Sequence, residues 1–190
     1  MRRRWIFVFY DVPNSPSKIR VKLWREFKGM GAIYPPYSVC ILPDNSKVRR
    51  KLENIRRDIE KHGTAVIFTA RGKRDEDEAN VLKMFDEERR KEFDEILEEC
   101  EEFMEEIQHN IENGNVTDEE VEELEESLEG LNRWYKKVIS RGVEASSDSK
   151  VEESLRKCRE RLNSFTEIVQ KRQNEELRKR QQLKSESNAT

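Results

Sequence analysis

The spacing of hydrophobic residues divides the chain into two parts at about Arg74. Before this point, short apolar runs alternate with stripes at helical spacing, and after it the helical spacing continues alone. The run from Trp5 to Tyr10 has six consecutive apolar or aromatic residues, which predicts a buried strand. A first helix is predicted by a stripe that ends before Gly31 and consists of Leu23, Trp24, Phe27 and Met30.

The rest of the first part contains two short extended segments, a second helix and a last strand. The extended segments are Ala32 to Tyr34 and Ser38 to Leu42, and the last strand is Thr64 to Thr69. The order strand, helix, strand, strand, helix, strand is that of the ferredoxin-like βαββαβ domain. The second helix is indicated by an apolar stripe of Val48, Leu52, Ile55 and Ile59.

The second part is predicted to be entirely helical, which makes the fold class α+β. Thr117 to Glu120 forms a capping box, and Val116 with Val121 supplies the matching hydrophobic staple. Short turns between amphipathic helices favour an antiparallel bundle or hairpin. The predicted organisation is a ferredoxin-like domain at 1–74, a helical region at 75–184 with helices at 75–113, 118–141 and 149–184, and a disordered tail at 185–190.

The first strand is apolar on both faces, with Trp5, Phe7 and Phe9 on one of them. Two helices cover one face of a small sheet, so the other face needs a different partner. The two candidates are a second copy of the domain and the helical region of the same chain. We therefore predict a homodimer with these three residues at its interface.

Charge is distributed unevenly along the chain. Residues 1–74 carry 18 Lys/Arg against 6 Asp/Glu, a net charge of +12, whereas residues 75–147 have a net charge of −18 and residues 148–190 a net charge of +3. A domain this basic attracts polyanions, so DNA or RNA is one predicted partner, and contact with the acidic helices of the same chain is the rival interpretation. The residues predicted to bind nucleic acid are Arg20, Arg25, Lys28, Arg49, Arg50, Arg56 and Arg57.

Candidate catalytic chemistry is sparse. Asp11 follows the first strand, where a carboxylate could bind a divalent metal alone or with its symmetry mate, although turn chemistry before Pro13 also explains it. No nucleotide-binding or hydrolase motif is present, so no catalytic residue is predicted, and a divalent metal is the one cofactor considered. Cys40, Cys100 and Cys158 are far apart in the sequence, which favours reduced, packed thiols. No apolar run approaches the ~20 residues of a membrane span, which predicts a cytoplasmic protein with no membrane contact.

Several short motifs carry a family resemblance over about residues 4–72. They are Asp11-Val-Pro13, Leu23-Trp24-Arg25, Gly31-Ala32 and Ile41-Leu42-Pro43. Together they resemble the N-terminal domain of the chromate-resistance protein family ChrB, which implies a role in chromate-responsive gene control. That domain is similar to the C-terminal region of the phenylacetate repressor PaaX and to the small CRISPR-associated adaptation protein with a ferredoxin fold. The last family implies dimerisation through the sheet, nucleic-acid binding and a metal-binding Asp after strand 1, a position matched here by Asp11.

The sequence therefore predicts a non-enzymatic, nucleic-acid-associated or regulatory protein whose helical region serves oligomerisation or binds a protein partner. One alternative is a divalent-metal-dependent nuclease that uses Asp11. Another is a structural adaptor that binds no nucleic acid, because its basic and acidic parts satisfy each other.

Overall fold

A computed structural model describes residues 3–13, 18–34, 39–141 and 148–187, with side chains described as far as Gln182. It confirms the α+β class, with a small antiparallel sheet and five helices. The predicted strand start at Ser38 and the end of the predicted tail, 188–190, lie outside the described residues. The elements are β1 (Trp5–Asp11), α1 (Lys18–Gly29), β2 (Cys40–Pro43), α2 (Ser46–Glu60), β3 (Thr64–Ala70), α3 (Asp75–Asn113), α4 (Asp118–Arg141) and α5 (Ser149–Ser187).

The sheet has the strand order β2-β1-β3, and both neighbouring pairs are antiparallel. The predicted extended segment Ala32 to Tyr34 is reduced to a single antiparallel bridge between Ile33 and Ile41. At the start of this segment, the Ala32 N–H donates to the Phe27 carbonyl, so that this residue completes the end of α1 and does not belong to a strand. In the described chain β3 pairs with β1 alone, so its other edge is unpaired.

Helices α1 and α2 pack on one face of the sheet. Their apolar residues join Ile6 and Val8 of β1 in a single core cluster. All four residues of the predicted α2 stripe are buried, and the Asn45 side chain caps the helix by accepting a 2.9 Å hydrogen bond from the Val48 N–H. The stripe predicted for α1 is wrong at one position: Leu23, Phe27 and Met30 are buried, but Trp24 is 50% exposed. Leu23 and Phe27 are one turn apart, and Trp24 is rotated by about 100° from Leu23, away from the sheet.

The first turns of α3 cover part of the opposite sheet face. Trp5 is buried and stacks on Phe85 of α3, with ring centroids 5.1 Å apart. Phe7 is half-buried and packs against the same cluster, whereas Phe9 is 43% exposed. The helical region of the same chain therefore covers the Trp5 end of this face. The Phe9 end remains open.

The three long helices follow the predicted capping and spacing signals. α4 runs antiparallel to α3, because Phe93 contacts Tyr135 while Asn110 hydrogen-bonds to Glu120 near the other end. Thr117 caps α4, with its hydroxyl accepting from the Glu120 N–H at 3.3 Å, while the Glu120 carboxylate accepts from Asn110. α5 continues to Ser187, beyond its predicted end at 184. No described helix combines the length and apolarity needed to cross a membrane.

By internal packing the chain forms two compact units. The first contains Met1–Lys91 and Val138–Ser146, and the second contains Glu92–Lys137 and Ser147–Thr190. The predicted division at residue 74 would separate the sheet from the start of α3. The first unit includes that start because α3 residues near Phe85 bury Trp5.

Candidate nucleic-acid interface

Helices α1 and α2 lie beside each other and are linked by an ion-paired cluster. Lys22 of α1 and Lys61, which follows α2, each contact the Asp58 carboxylate at 2.7 Å. Hydrogen bonds from Lys22 and then Lys61 lower the pKa of Asp58 to about 2. Because both helices bury their apolar stripes in the same core, their basic side chains share the outer side of this layer. We use the name basic surface for Arg20, Arg25 and Lys28 of α1 with Arg49, Arg50, Arg56 and Arg57 of α2.

Three arginines of the basic surface are the most available for a ligand. Arg25 and Arg50 are exposed and have no hydrogen bond or ion pair with the described residues. Arg57 is exposed and bonds within its own helix, to the Asn54 side chain at 3.1 Å and the Glu53 carbonyl at 3.3 Å. Bonds of this kind are exchanged readily for a phosphate, since both partners remain solvated.

Arg49 and Arg56 are more strongly engaged. The Arg49 guanidinium forms a bidentate hydrogen-bonded ion pair with the Asp44 carboxylate. The Arg4 Nε also lies 3.0 Å from the Asp44 Oδ2. The hydrogen bond from Arg49 is the main cause of a lowered pKa at Asp44, whose side chain is fully buried. Arg56 pairs with Glu60 one turn along α2 at 2.8 Å. Arg49 therefore anchors the start of α2 besides any part it plays in binding.

Lys28 is held by residues that are distant in the sequence. Its ammonium contacts the Glu88 carboxylate of α3, and its carbonyl accepts a 2.8 Å hydrogen bond from Arg141. Arg141 also lies against Gly31, where a Cβ atom would come within 2.9 Å of the Arg141 Cβ. These contacts span 60 and 113 residues, so no local pattern in the sequence could reveal them. Lys28 is thus a member of the basic surface that forms an ion pair with an acidic residue of α3.

Trp24 is a candidate that sequence reasoning placed in the core. It lies on the outer side of α1 with Val21, which is 44% exposed. Arg20 precedes it by one turn and Lys28 follows it by one turn. Spacing could not identify it, because Leu23 and Trp24 both lie about one turn before Phe27 and only Leu23 is buried.

Asp11 lies at the end of β1, opposite Thr64 of β3, and is exposed. It lines a shallow depression together with His62, a residue that sequence reasoning left unassigned. Gly63 is required there, because a Cβ atom would lie 1.9 Å from the Asp11 carbonyl oxygen. No three His, Cys, Asp or Glu side chains among the described residues are grouped to hold a metal. The depression fits a metal ion only if further ligands come from outside the described chain.

The three cysteines are buried. Burial raises the pKa of Cys40 to about 12, which makes it a poor nucleophile. Cys100 of α3 and Cys158 of α5, which are far apart in sequence, lie together, with the Cys158 sulfur 3.5 Å from the Cys100 carbonyl oxygen. A hydrogen bond from Cys158 lowers the pKa of the Cys100 thiol.

Comparison with known proteins gives one family. The family model described as protein ChrB, N-terminal, matches residues 20–176. This match covers most of the chain, and it extends through α3 and α4 into α5, whereas the sequence motifs suggested a resemblance limited to about residues 4–72. No curated protein and no solved structure matches the chain.

Proposed function

The chain belongs to the family of ChrB N-terminal domains, and on this premise we propose that it is a non-enzymatic regulatory protein that binds nucleic acid through the basic surface. The observation that carries the proposal is the pair of adjacent helices whose exposed arginines Arg25 and Arg50 have no partner among the described residues. The resemblance to ChrB implies that the regulated process is chromate resistance.

The sheet supports the finer assignment of a ferredoxin-like domain. When the Ile33–Ile41 bridge is counted as a rudimentary second strand, the order across the sheet is β3, β1, β2 and then the bridge. Both helices lie on one face of this arrangement, as in a βαββαβ domain. We propose that this domain shares its ferredoxin-like fold with the PaaX C-terminal region and with the CRISPR-associated adaptation protein.

Phosphate contacts made by α1 and α2 would be independent of base sequence. Arginine binds a phosphate through two parallel N–H donors, and each neutralised phosphate releases condensed counterions. Affinity should therefore fall steeply with salt. The basic surface would position nucleic acid, and sequence preference would need additional contacts.

The double variant Arg25→Glu with Arg50→Glu tests this proposal in the full-length protein. We expect binding to DNA and RNA to weaken by about 10-fold or more at low salt, and the slope of log affinity against log salt to decrease by roughly 2. The matched control is Arg133→Glu with Lys136→Glu on α4, which changes the net charge equally. Fluorescence anisotropy at several salt concentrations provides both quantities.

Equal losses in the two double variants would show that overall charge, rather than the basic surface, governs binding. If the wild-type protein binds neither DNA nor RNA at low salt, the structural-adaptor alternative replaces the proposal. The Lys28–Glu88 contact between a basic and an acidic helix is the observation that favours this alternative.

Self-association through the open part of the sheet is the second element of the proposal. Phe9, Val66 and Phe68 lie on one face with 43%, 51% and 58% exposure, next to the unpaired edge of β3. A second copy is the occupant we favour, because antiparallel pairing of two β3 edges would bring the exposed Asp11 at one end of the sheet towards the exposed Arg71 at the other. The dimer interface would then use Phe9 with Val66 and Phe68, while Trp5 and Phe7 pack within the chain.

Phe68→Asp should convert a dimer into a monomer in sedimentation experiments, whereas Leu177→Asp at a comparably exposed site on α5 should have no effect. A wild-type chain that is monomeric at high micromolar concentration would contradict the dimer. That result would leave the nucleic-acid proposal unaffected.

The nuclease alternative has one supporting observation, which is the shared depression of Asp11 and His62. A carboxylate and an imidazole can bind a divalent metal or move a proton. Incubation of the wild-type protein with DNA and RNA in Mg²⁺ or Mn²⁺ should show cleavage that Asp11→Ala removes if this alternative holds. Without cleavage by the wild-type protein, Asp11 keeps a turn role.

A further inference from the structure

Trp24 is half exposed on a helix that is otherwise strongly basic. Its exposed fraction is 50%, and the neighbouring Val21 adds a second apolar side chain. Apart from the half-buried Glu26, the charged residues of α1 are all basic, namely Lys18, Arg20, Lys22, Arg25 and Lys28. An exposed indole flanked by cations combines the two features of a single-strand binding surface, an aromatic face and positive charge.

We propose that Trp24 is a stacking platform for an unpaired base, so that this face of α1 binds single-stranded nucleic acid. The inference rests on the proposed function and specifies its ligand. The charge of the helix favours a polyanion over a protein partner, and the indole offers a flat face on which any base can stack. Arg20, one turn before Trp24, and the adjacent Arg25 would contact the backbone phosphates of the same strand, while Lys28, one turn after Trp24, is held by Glu88.

Single strands fit this surface better than a duplex for a geometric reason. The faces of paired bases are covered by their neighbours, so a Trp on a helix surface cannot stack on them without opening the duplex. Arginines and lysines can reach phosphates in either form. The basic surface would therefore bind both forms, while Trp24 would add affinity for the single strand.

The test compares the full-length wild-type protein with Trp24→Ala and Trp24→Phe, using oligothymidylate and a duplex of equal length at two salt concentrations. We expect Trp24→Ala to weaken oligothymidylate binding by about 5- to 150-fold, corresponding to ~1–3 kcal/mol for one stacked base. Duplex binding should change by less than about twofold. The salt slope should stay the same, because no charge is removed. Trp24→Phe should retain most of the affinity.

Trp134→Ala, at a partly buried tryptophan of α4, is the control for loss of an indole and should leave both affinities unchanged. The inference is overturned if Trp24→Ala binds oligothymidylate as tightly as wild type, or if Trp24→Ala and Trp134→Ala lose affinity for it equally. It is also overturned if Trp24→Ala loses duplex and single-strand binding to the same extent. A wild-type protein that binds no nucleic acid overturns the proposed function together with this inference, whereas the other outcomes leave the proposed function standing.

Discussion

At the scale of single residues, Asp44 is a buried carboxylate that connects the start of α2 with the residue preceding β1. It accepts from Arg49 and Arg4, and its side chain is fully buried, while the two arginine side chains are about half exposed. A buried carboxylate with two charged donors is stabilising while it is ionised, and its loss leaves the donors without their acceptor.

Asp44→Asn should lower the free energy of unfolding by about 1–2 kcal/mol at pH 7. Because the fold lowers the pKa of Asp44, its contribution is present above the pKa of the unfolded chain, near ~3.9, and is lost as pH falls through the lower folded pKa. The difference between wild type and variant should therefore be constant above about pH 5 and shrink below it.

Urea unfolding at pH 7, 5 and 3 measures this difference. Asp86→Asn is the control, since the exposed Asp86 carboxylate, paired with Arg89 on α3, should contribute less than about 0.5 kcal/mol. A difference for Asp44→Asn that does not depend on pH would mean that its charge is not responsible.

Gly63 provides a second prediction for a single residue. A Cβ atom at this position would collide with the Asp11 backbone at 1.9 Å, so Gly63→Ala must displace either β1 or the turn before β3. We expect urea unfolding to show a loss of at least about 2 kcal/mol in unfolding free energy, in the upper range for overpacking. Gly29→Ala is the matched control, because a Cβ atom there would have no neighbour within 4 Å and alanine favours a helix by about 0.5–1 kcal/mol. Equal stabilities for the two variants would contradict the close approach at Gly63.

At the scale of elements, α3 determines which part of the sheet is covered. Its apolar residues Val81, Leu82 and Phe85 belong to the cluster around Trp5, while Phe93, further along the helix, contacts Tyr135 of α4. One continuous helix thus supplies apolar side chains to both compact units.

Phe85→Ala should cost about 3 kcal/mol of stability, because it removes a buried ring that stacks on Trp5. It should also admit water to Trp5 and shift the tryptophan emission to longer wavelength. Leu177→Ala on α5, where the side chain is 55% exposed, should change stability by less than about 0.5 kcal/mol. Unchanged emission and stability in Phe85→Ala would contradict the assigned cover of the sheet.

At the scale of the whole molecule, the acidic segment of net charge −18 follows directly on the basic segment of +12. Such an arrangement predicts that the acidic helices restrain nucleic-acid binding. The Lys28–Glu88 contact is one place where this restraint would act, because an ammonium paired with Glu88 cannot also bind a phosphate. The hydrogen bond from Lys28 lowers the pKa of Glu88, so the pair stays ionised at neutral pH.

Glu88→Gln should therefore raise the affinity for nucleic acid by a few-fold and increase the salt slope by up to about 1, since Lys28 becomes available for a phosphate. Glu87→Gln changes the net charge equally. Because Glu87 pairs with Lys83 on α3 and not with the basic surface, this variant should change the affinity less. Equal effects in anisotropy titrations would assign the change to net charge. Point variants are preferable to a fragment ending at Arg74, which would lack Phe85 and expose Trp5.

Features that depend on neighbouring residues could be predicted from the linear chain. The bounds of α3 and α4, the N-cap at Thr117 and the buried stripe of α2 follow from spacing and end signals within a few turns. The charge division and the resemblance to the ChrB family are also properties of the linear chain.

Long-range partners, in contrast, became known only from the folded chain. Glu88 and Arg141 hold Lys28, Phe85 covers Trp5, and Ile33 contributes a bridge instead of a strand. Folding also places Trp24 outside the core, because two helices on a small sheet bury a narrow stripe and leave its neighbours in solvent. Local spacing shows that a residue is apolar or charged, but the packing of distant segments determines whether that property is buried, paired or available to a ligand.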